Sequence, residues 1–373
     1  MKLKKLSLPF KVKRAILALG SHTKNTLGFA KGHSAYFGPV YQDLDQAGDF
    51  GDFQRQASYF LKKKARIIAY DLHPGYRPTQ YTLSLAPDNF SFAPTQHHHA
   101  HIASCMADNG LKDQRVLGVA FDGTGLGSDN TLWGAEFLVC DYRGFRRAGY
   151  LKPVRLLGGE VAIRQPWRLA LLCLFLAFGE RVWDFNFDVI SKVERKTWQV
   201  LKKMYLSGFN SPLASSMGRL FDAVAVLVLG QKEAHFEAEL AIKLERLAES
   251  CHIKTKPYPF KIVKKQSSYI LDPLPMFKAM VLDLKHQEPK AEIAYRFHLT
   301  VAELTRKMLV VLRKNTKLNK VVLSGGVFQN RLLCRLVNGL LAKEKFKTFW
   351  HHNVPCHDAG IALGQIAIAN HRS

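Results

Sequence analysis

A repeated unit of buried strand and small polar turn constrains the fold of this chain more than any other feature. The first unit is the apolar run Ala15–Leu19, which ends at Gly20 and leads into the polar turn Ser21–Thr26. Much later, the apolar run Val116–Phe121 leads into the acidic glycine-rich turn Asp122–Gly125. Short apolar runs bounded by turn residues are typical of buried strands. The repetition predicts that two such turns face each other across a cleft and hold a nucleotide from both sides.

A third unit runs from the strand Lys320–Leu323 into the turn Ser324–Gly326 and then into a helix that starts near Asn330. Turns rich in Gly, Ser and Thr expose backbone N–H groups, and such concave turns bind phosphate. A single glycine turn after a strand is more often an ordinary connection. Three such turns in one chain are stronger evidence for phosphate binding than any single turn.

The remaining elements follow from the spacing of apolar residues. After the first turn, Thr26–Ala30 and His33–Phe37 are predicted as two short antiparallel strands, and Thr131–Val139 as a further strand. The basic segment 252–272 has strand-like composition. Helices are predicted over Trp167–Phe178, Arg195–Tyr205, Met217–Leu229, Phe236–Glu249, Ile293–Leu312 and Ile361–Ala369.

Four histidines lie within five positions, at His97, His98, His99 and His101. On a helix, residues four apart lie on one face, so His97 and His101 can direct two imidazole nitrogens to one point. A divalent metal takes such ligands together with carboxylate oxygens from other segments. His98 and His99 then point elsewhere, toward groups that support the metal ligands or toward a substrate. The alternative is an exposed polar helix start whose histidines bind nothing.

Asp358 precedes the terminal apolar helix, and two interpretations of it stay open. A carboxylate at this position can cap the helix N-terminus. It can also serve as a carboxylate ligand of the same metal as His97 and His101.

Composition and cysteine usage limit the class of protein. The chain has 373 residues, 47% of them hydrophobic, so it can bury a substantial core. No stretch reaches the roughly 20 apolar residues of a membrane-spanning helix, and no signal-peptide core follows the basic N-terminus. Six cysteines are scattered without a C-x-x-C pair, which favours a reduced, cytoplasmic protein over a disulfide or zinc-ribbon scaffold.

The charge balance is strongly basic, with 54 Lys and Arg against 30 Asp and Glu and a net charge of +24. Such an excess attracts polyanions, so nucleic acid and acidic partner proteins are both candidates. The lysines are dispersed, however, and no stripe interleaves them with aromatic residues. A nucleotide substrate, itself anionic, needs only a few of these charges.

Several motifs along the chain occur in the order seen in one enzyme family. They are Gln96–His101 (QHHHAH), Phe121–Gly125 (FDGTG), Trp133–Glu136 (WGAE), Gly158–Glu160 (GGE), Gln165–Arg168 (QPWR), Ser215–Ala223 (SSMGRLFDA) and Ser324–Asn330 (SGGVFQN). Together they resemble the C-terminal transferase portion of HypF, the carbamoyltransferase of nickel–iron hydrogenase maturation. That portion is itself similar to the tRNA threonylcarbamoyl transferases. Gly20–Thr26 and Asp71–Tyr76 also resemble it, so the resemblance spans residues 14–370.

The resemblance implies an α/β fold of the actin/Hsp70-like (ASKHA) type, with two lobes and a nucleotide cleft between them. We expect the N-terminal lobe over residues 14–115, carrying the first polar turn and the histidine cluster. The C-terminal lobe is expected over residues 116–373, with the other nucleotide-binding turns, the terminal helix and a helical insertion near residues 167–250.

The resemblance also implies the residues of a site. An iron or zinc ion is expected on His97, His101, Asp122 and Asp358. The adenylate is expected with its phosphate on the first glycine-rich turn, its ribose on Asp222 and the rest of the nucleotide on the later turn. These expected contacts are Gly123, Thr124, Gly125, Asp222, Gly325, Gly326 and Asn330. Lys24, Arg168 and Arg219 are further candidates for phosphate contact, although an arginine beside carboxylates is commonly a structural ion pair.

The implied reaction transfers the carbamoyl group of carbamoyl-adenylate to a C-terminal cysteine thiol of a HypE-like acceptor, on the way to cyanide ligands. The acylphosphatase-like, zinc-finger and YrdC-like domains that precede this portion in HypF have no match in the chain. We therefore expect a separate YrdC-like protein or domain to supply carbamoyl-adenylate, made with ATP. Two alternatives stay open: a tRNA-modifying transferase of the same fold, and a catalytically idle nucleotide-binding module.

Two positions depart from the family pattern. The first turn reads Ser21-His22-Thr23 where the family usually has Ala-Asp-Leu, so a histidine replaces an acid. Ala238 stands where the family has glycine. The alanine methyl group reduces the space for a ligand that lies close to the backbone.

Overall fold

The computed structural model describes residues 3–86, 89–185, 187–251 and 253–373. Within these residues the strands form a four-stranded sheet and a nine-stranded sheet. The four-stranded sheet has the strand order β2-β1-β3-β4. Its members are β1 (Lys4–Ala18), β2 (Thr23–Asp43), β3 (Ile67–Asp71) and β4 (Ser91–Thr95). Strands β1 and β2 are antiparallel, whereas β3 lies parallel to both β1 and β4.

Three helices accompany this sheet in the chain: α1 (Ala47–Lys62), α2 (Arg77–Leu83) and α3 (His97–Asp108). Strand β4 ends at Thr95 and α3 begins two residues later, with Gln96 between them. The Gln96 side chain accepts a hydrogen bond from the His99 backbone N–H at 2.9 Å, so it caps the helix that carries the histidine cluster.

The larger sheet has the strand order β10-β11-β7-β6-β5-β12-β13, with β8 and β9 attached beside β6. Its strands are β5 (Val116–Leu126), β6 (Leu132–Cys140), β7 (Phe145–Leu151), β8 (Val154–Arg155), β9 (Leu213–Ser216), β10 (Lys261–Lys265), β11 (Ser268–Asp272), β12 (Lys320–Ser324) and β13 (Lys347–Phe349). The central strand β5 pairs antiparallel with β6 and parallel with β12. It is therefore buried between neighbours, as its apolar run predicts.

The helices of this part of the chain are α4 (Val161–Arg164), α5 (Trp167–Phe178), α6 (Asp188–Ser191), α7 (Arg195–Ser207), α8 (Met217–Leu229), α9 (Glu239–Glu249), α10 (Leu274–Lys285), α11 (Lys290–Thr316), α12 (Arg331–Lys343) and α13 (Ile361–Arg372). Side chains of Ser216 and Asn330 cap α8 and α12 by accepting from Arg219 N and Leu333 N. A large apolar core lies among this sheet, α5, α8 and α11.

The terminal helix α13 returns to the N-terminal part of the chain. It packs against α3 and against strands of the four-stranded sheet. Ile361, Leu363 and Ile366 are buried there together with Ile102 and Met106 of α3. This contact fixes the histidine helix between the first sheet and the C-terminus, although the division into lobes at residue 115 stays a prediction.

Three details of the predicted elements are wrong. Thr26–Ala30 and His33–Phe37 belong to one continuous strand, β2, instead of two. Gly32 has φ of +59° within it, and the register with β1 shifts at Val12, which lies opposite Gly32. A glycine in this conformation forms a bulge that keeps the strand going where a turn was expected.

The segment predicted as strand-like from residue 252 has strands only from Lys261 onward, and residue 252 itself lies outside the described residues. The helix predicted from Phe236 begins at Glu239, because Ala238 before it has φ of +61°. In the described parts of the chain, every helix is too short or too polar to span a bilayer.

Candidate metal centre and nucleotide cavity

Helix α3 places His97 and His101 one turn apart on the same face, with ring centroids 5.0 Å apart. Both side chains are 1% exposed. The histidine cluster is therefore buried, and the alternative of an exposed polar helix start is wrong. Burial of two imidazoles on one helical face agrees with the spacing argument.

Asp122, near the bend of β5, faces both rings. Its Oδ2 atom lies 3.4 Å from His97 Nε2 and 3.0 Å from His101 Nε2. Its other oxygen, Oδ1, accepts hydrogen bonds from the backbone N–H groups of Gly123 and Gly326, at 2.8 Å and 3.3 Å. The two glycine-rich turns therefore hold the carboxylate so that one oxygen faces the histidines.

Asp358 completes the group from the C-terminal segment. Its Oδ1 atom lies 3.8 Å from His97 Nε2 and 3.6 Å from His101 Nε2. One ligand atom from each of the two histidines, Asp122 and Asp358 lies within 4.8 Å of the other three. Asp358 begins a 3₁₀ turn that is capped by the His357 side chain, so helix capping does not occupy its carboxylate.

Asp71, at the end of β3, orients one of these histidines. Its Oδ2 atom lies 2.8 Å from His97 Nδ1, and both side chains are 1% exposed. A carboxylate on Nδ1 places the hydrogen there and leaves the Nε2 lone pair free, which is the usual arrangement behind a metal-bound histidine. Two histidines, two carboxylates and this support fit a divalent cation of the iron or zinc type. Sequence reasoning noted the Asp71–Tyr76 segment but gave Asp71 no role.

The electrostatics of the cluster are strongly coupled. Burial opposes charge on His97, but the nearby carboxylates of Asp358 and Asp71 outweigh it and raise the pKa of His97 well above its usual value. Burial likewise opposes charge on Asp122, yet hydrogen bonds from His101 and His97 hold the pKa of Asp122 well below its usual value. The cluster therefore favours positive charge at its centre, carried by protons or by a cation.

His98 and His99 point away from this centre and are fully buried. His98 Nδ1 lies 3.3 Å from Gln96 Nε2, and His99 Nε2 lies 2.6 Å from the Asp141 carbonyl. Burial lowers the pKa of both, to about 4 for His99. They are neutral groups that support the helix cap and the β6–β7 turn, and neither lines the cavity described next.

A cavity of about 790 Å³ opens beside the cluster. Asp122 and Asp358 form part of its wall, opposite the first polar turn with Thr23 and Lys24. A smaller cavity of about 200 Å³ adjoins it and shares Lys24, Gly123, Arg219 and Asp222. Two turns from distant parts of the chain thus face one space, as the repeated strand–turn unit predicts.

Most of the residues expected to contact a nucleotide line these two cavities: Gly123, Thr124, Asp222, Gly326 and Asn330. Gly125 and Gly325 do not line either one. A Cβ atom on Gly125 would lie 2.6 Å from the His97 ring, and one on Gly325 would lie 2.1 Å from the Phe121 carbonyl oxygen. Glycine is needed at both positions for close packing around the cluster.

Two basic side chains of the cavity wall, Lys24 and Arg219, are paired with acids. Arg219 Nη1 lies 3.1 Å from Asp222 Oδ2, and Lys24 Nζ lies 2.8 Å from Glu237 Oε2 across the cavity. Arg168, by contrast, donates to the Leu157 carbonyl and the Gln165 side chain outside the cavity. Of the three basic candidates, Lys24 and Arg219 line the cavity and Arg168 does not.

The two departures from the family pattern also lie in this wall. His22 Nε2 lies 3.2 Å from Asp45 Oδ2, so the histidine pairs with an acid that follows β2. Ala238 has a left-handed backbone, which is the conformation that favours glycine. Both line the larger cavity.

Comparison with known families and structures agrees with this geometry. Residues 11–108 match the profile described as the HypF Kae1-like domain. Residues 118–365 match the profile described as the carbamoyltransferase Kae1-like domain, second subdomain. The chain belongs to the HypF family.

Two curated relatives differ in length. The carbamoyltransferase HypF of Synechocystis is 33% identical over 97% of this chain, which spans 48% of that protein. The carbamoyltransferase HypF homolog of Cupriavidus necator is 31% identical over 95% of this chain, which spans 91% of it. The chain therefore covers about half of the first relative and nearly all of the second.

A crystal structure of full-length HypF in its phosphate- and nucleotide-bound form superimposes with a TM-score of 0.91 and 38% identity. The match covers 99% of this chain and 57% of that one. It confirms the predicted α/β fold class and the predicted correspondence to a portion of HypF.

Proposed function

We propose that this chain transfers the carbamoyl group of carbamoyl-adenylate to a cysteine thiol of a HypE-like acceptor protein. The observation that supports the proposal is that Asp122 and Asp358, which contact His97 and His101, line the cavity formed by the glycine-rich turns. An adenylate in that cavity places its acyl phosphate between the basic wall and the cluster.

The four residues His97, His101, Asp122 and Asp358 would hold an iron or zinc ion. When bound, the ion supplies Lewis acidity and a fixed positive charge beside the mixed anhydride. The chain's own residues orient it: Asp71 fixes His97, and the backbone N–H groups of Gly123 and Gly326 fix Asp122.

The cavity wall recognises the nucleotide. Thr124 and the backbone of Gly123 would bind the phosphate, and Asp222 would bind the ribose hydroxyls. Lys24 and Arg219 supply positive charge for the phosphate. In the transfer, the acceptor thiolate attacks the carbamoyl carbon, a C–S bond forms, and the C–O bond to the phosphate breaks with release of AMP. Preorganised positive groups stabilise the negative charge that develops in this step.

A reconstituted reaction tests the proposal. The chain is incubated with a YrdC-type protein, carbamoyl phosphate, ATP and a HypE-like acceptor, and the intact mass of the acceptor is measured. We expect the acceptor to gain one carbamoyl group only when this chain is present. An acceptor whose cysteine is replaced by alanine is the control and should gain none.

The net charge of +24 favours one other function, modification of tRNA by a transferase of the same fold. Specific tRNA binding should weaken steeply as salt rises and should resist competition by bulk RNA. Absence of tRNA binding at physiological salt would remove this alternative. A protein that binds neither ATP nor AMP, with or without metal, would instead indicate an idle module.

A further inference from the structure

A chain of buried polar groups leads from His101 away from the cavity. His101 Nδ1 lies 3.3 Å from Ser324 Oγ, and Ser324 Oγ lies 2.8 Å from His351 Nε2. His351 Nδ1 in turn lies 3.6 Å from Asp108 Oδ2. The Ser324 side chain is fully buried, and those of His351 and Asp108 are 5% and 0% exposed.

From His101 to His351 the hydrogen bonds have a consistent direction of donation, and the final contact, His351 Nδ1 to Asp108 at 3.6 Å, is electrostatic. If His101 Nε2 faces a cation, the ring hydrogen must be on Nδ1, and Ser324 Oγ accepts it. The Ser324 hydroxyl then donates to His351 Nε2 at 2.8 Å, a shorter contact than the 3.3 Å to its other acceptor, the Cys356 carbonyl. His351 keeps its hydrogen on Nδ1, which faces the Asp108 carboxylate.

Asp108 is the fixed end of this series of polar groups. Its Oδ2 atom accepts from the backbone N–H groups of His352 and Asn353, at 2.6 Å and 3.0 Å. Asp108 and His101 both belong to helix α3, while Ser324 ends β12 and His351 follows β13. This series of polar groups therefore begins and ends on α3 and passes through β12 and the segment after β13.

The two histidines of the cluster differ in how they are oriented. His97 Nδ1 contacts the Asp71 carboxylate directly at 2.8 Å, whereas His101 Nδ1 reaches a carboxylate only through Ser324 and His351. Burial lowers the pKa of His351 in spite of Asp108, which favours the neutral ring, and a neutral ring can accept a hydrogen at Nε2. Ser324, His351 and Asp108 lie outside the described lining of the cavity.

We propose that Ser324 and His351, anchored by Asp108, are positioning residues that hold the His101 ring in the tautomer and orientation that direct Nε2 at the cation. The inference rests on the proposed metal site. A purely structural role would lower the stability of the fold and leave the affinity for metal unchanged.

The test uses the full chain and measures Zn²⁺ affinity by competition with a chromophoric chelator. We expect Ser324→Ala and His351→Phe each to bind Zn²⁺ about 10- to 100-fold more weakly, which is the usual effect of removing such support. Visible spectra of the Co²⁺-loaded proteins should change in both. The double variant should bind Zn²⁺ only slightly more weakly than the weaker-binding single variant, since both substitutions interrupt the same series of contacts.

Thr305→Val is the matched control, because Thr305 is also a fully buried hydroxyl and donates to the Val301 carbonyl at 2.7 Å, within α11. It should retain parental affinity. If His351→Phe does not fold, His351→Gln replaces it. Its amide can accept from Ser324 but cannot also donate from the Nδ1 position to Asp108, so an intermediate loss is expected.

Parental Zn²⁺ affinity in Ser324→Ala and in the folded His351 variant would overturn the inference, whatever their stability. His101→Ala separates this outcome from failure of the metal site. If His101→Ala abolishes binding while Ser324→Ala does not affect it, only the positioning role is wrong. If His101→Ala binds Zn²⁺ with parental affinity, the metal site itself is wrong.

Discussion

The Asp71 carboxylate lies 2.8 Å from Nδ1 of His97, on the opposite edge of the imidazole ring from Asp122 and Asp358. Asp71 ends a strand of the smaller sheet, whereas Asp122 and Asp358 come from segments much later in the chain. The His97 ring therefore connects the smaller sheet to two later segments of the chain at the centre of the proposed site.

Replacement of Asp71 by asparagine tests this relationship. The Oδ1 atom still accepts from His73 N, as it does now at 3.0 Å, but an amide in place of Oδ2 cannot accept the hydrogen of His97 Nδ1. We expect Asp71→Asn to weaken Zn²⁺ binding by about 10- to 100-fold, measured by chelator competition. Asp113→Asn, which changes a carboxylate paired with Arg143 at 2.9 Å, is the control. Equal affinities in the two variants would contradict the role of Asp71.

The parts of the site that could be predicted are those whose residues lie close together in the sequence. The pair His97 and His101 follows from helical spacing, which is a local property. Asp122 came from the family resemblance, which also favoured the metal-ligand interpretation of Asp358 over helix capping. The supports of the pair, Asp71 on one side and Ser324 with His351 on the other, were not predicted, because periodicity does not encode which way a side chain points across distant segments.

The same limit applies to the fold. The buried runs of β1, β5 and β12 were predictable, since each is a short apolar stretch bounded by turn residues. The continuity of β2 was not, because Gly32 reads as a turn residue and only the pairing with β1 shows it to be a bulge. Packing of α13 on α3 was equally hidden, because the spacing of apolar residues does not show which helices pack together.

Gly364 tests that packing of α13 on α3. A Cβ atom at this position would lie 1.8 Å from the Ala100 carbonyl oxygen, in the helix that carries the histidines. We expect Gly364→Ala to lower the free energy of unfolding by about 1–3 kcal/mol, the usual cost of overpacking. Urea denaturation measures the change.

Gly339→Ala is its matched control. Gly339 also lies within a helix, α12, but a Cβ atom there meets nothing within 4 Å. We expect this variant to be more stable by about 0.5–1 kcal/mol, because alanine is the better helix former. Equal stability of the two variants would mean that the contact between α13 and α3 is not close.

The pair of Lys24 and Glu237 crosses the nucleotide cavity, and its side chains are 30% and 64% exposed. An exposed pair contributes only about 0.2–1 kcal/mol, so a phosphate can replace Glu237 as the partner of Lys24. We expect Lys24→Met to weaken AMP binding and Glu237→Gln to strengthen it by up to about fivefold. Isothermal titration calorimetry measures both. A change of the same sign in the two variants would place Lys24 away from the phosphate.

Glu239 shapes the loop that faces this cavity. It accepts hydrogen bonds from Lys243 Nζ at 2.6 Å, Gln231 Nε2 at 3.0 Å and His235 N at 2.7 Å. These hydrogen bonds lower the pKa of Glu239 to about 2, and the bond from Lys243 has the largest effect on that pKa. Because the folded pKa is lower than the unfolded value of about 4.3, the carboxylate stabilises the fold at pH above 4.3 and loses that effect toward pH 2.

The free energy of unfolding of the wild type should therefore exceed that of Glu239→Gln at pH 7, and the difference should shrink as the pH falls below 4.3. Urea denaturation of both proteins across this range measures it. A difference that stays constant with pH would show that the Glu239 charge has no such effect.

The most direct test of the metal centre is an anomalous diffraction map from crystals of the protein loaded with Zn²⁺. We expect one strong peak about 2.0–2.2 Å from the Nε2 atoms of His97 and His101 and from carboxylate oxygens of Asp122 and Asp358. Crystals of His97→Ala or Asp358→Ala treated in the same way should lose most of that peak. A map with no peak among these four residues, or an undiminished peak in both variants, would contradict the account.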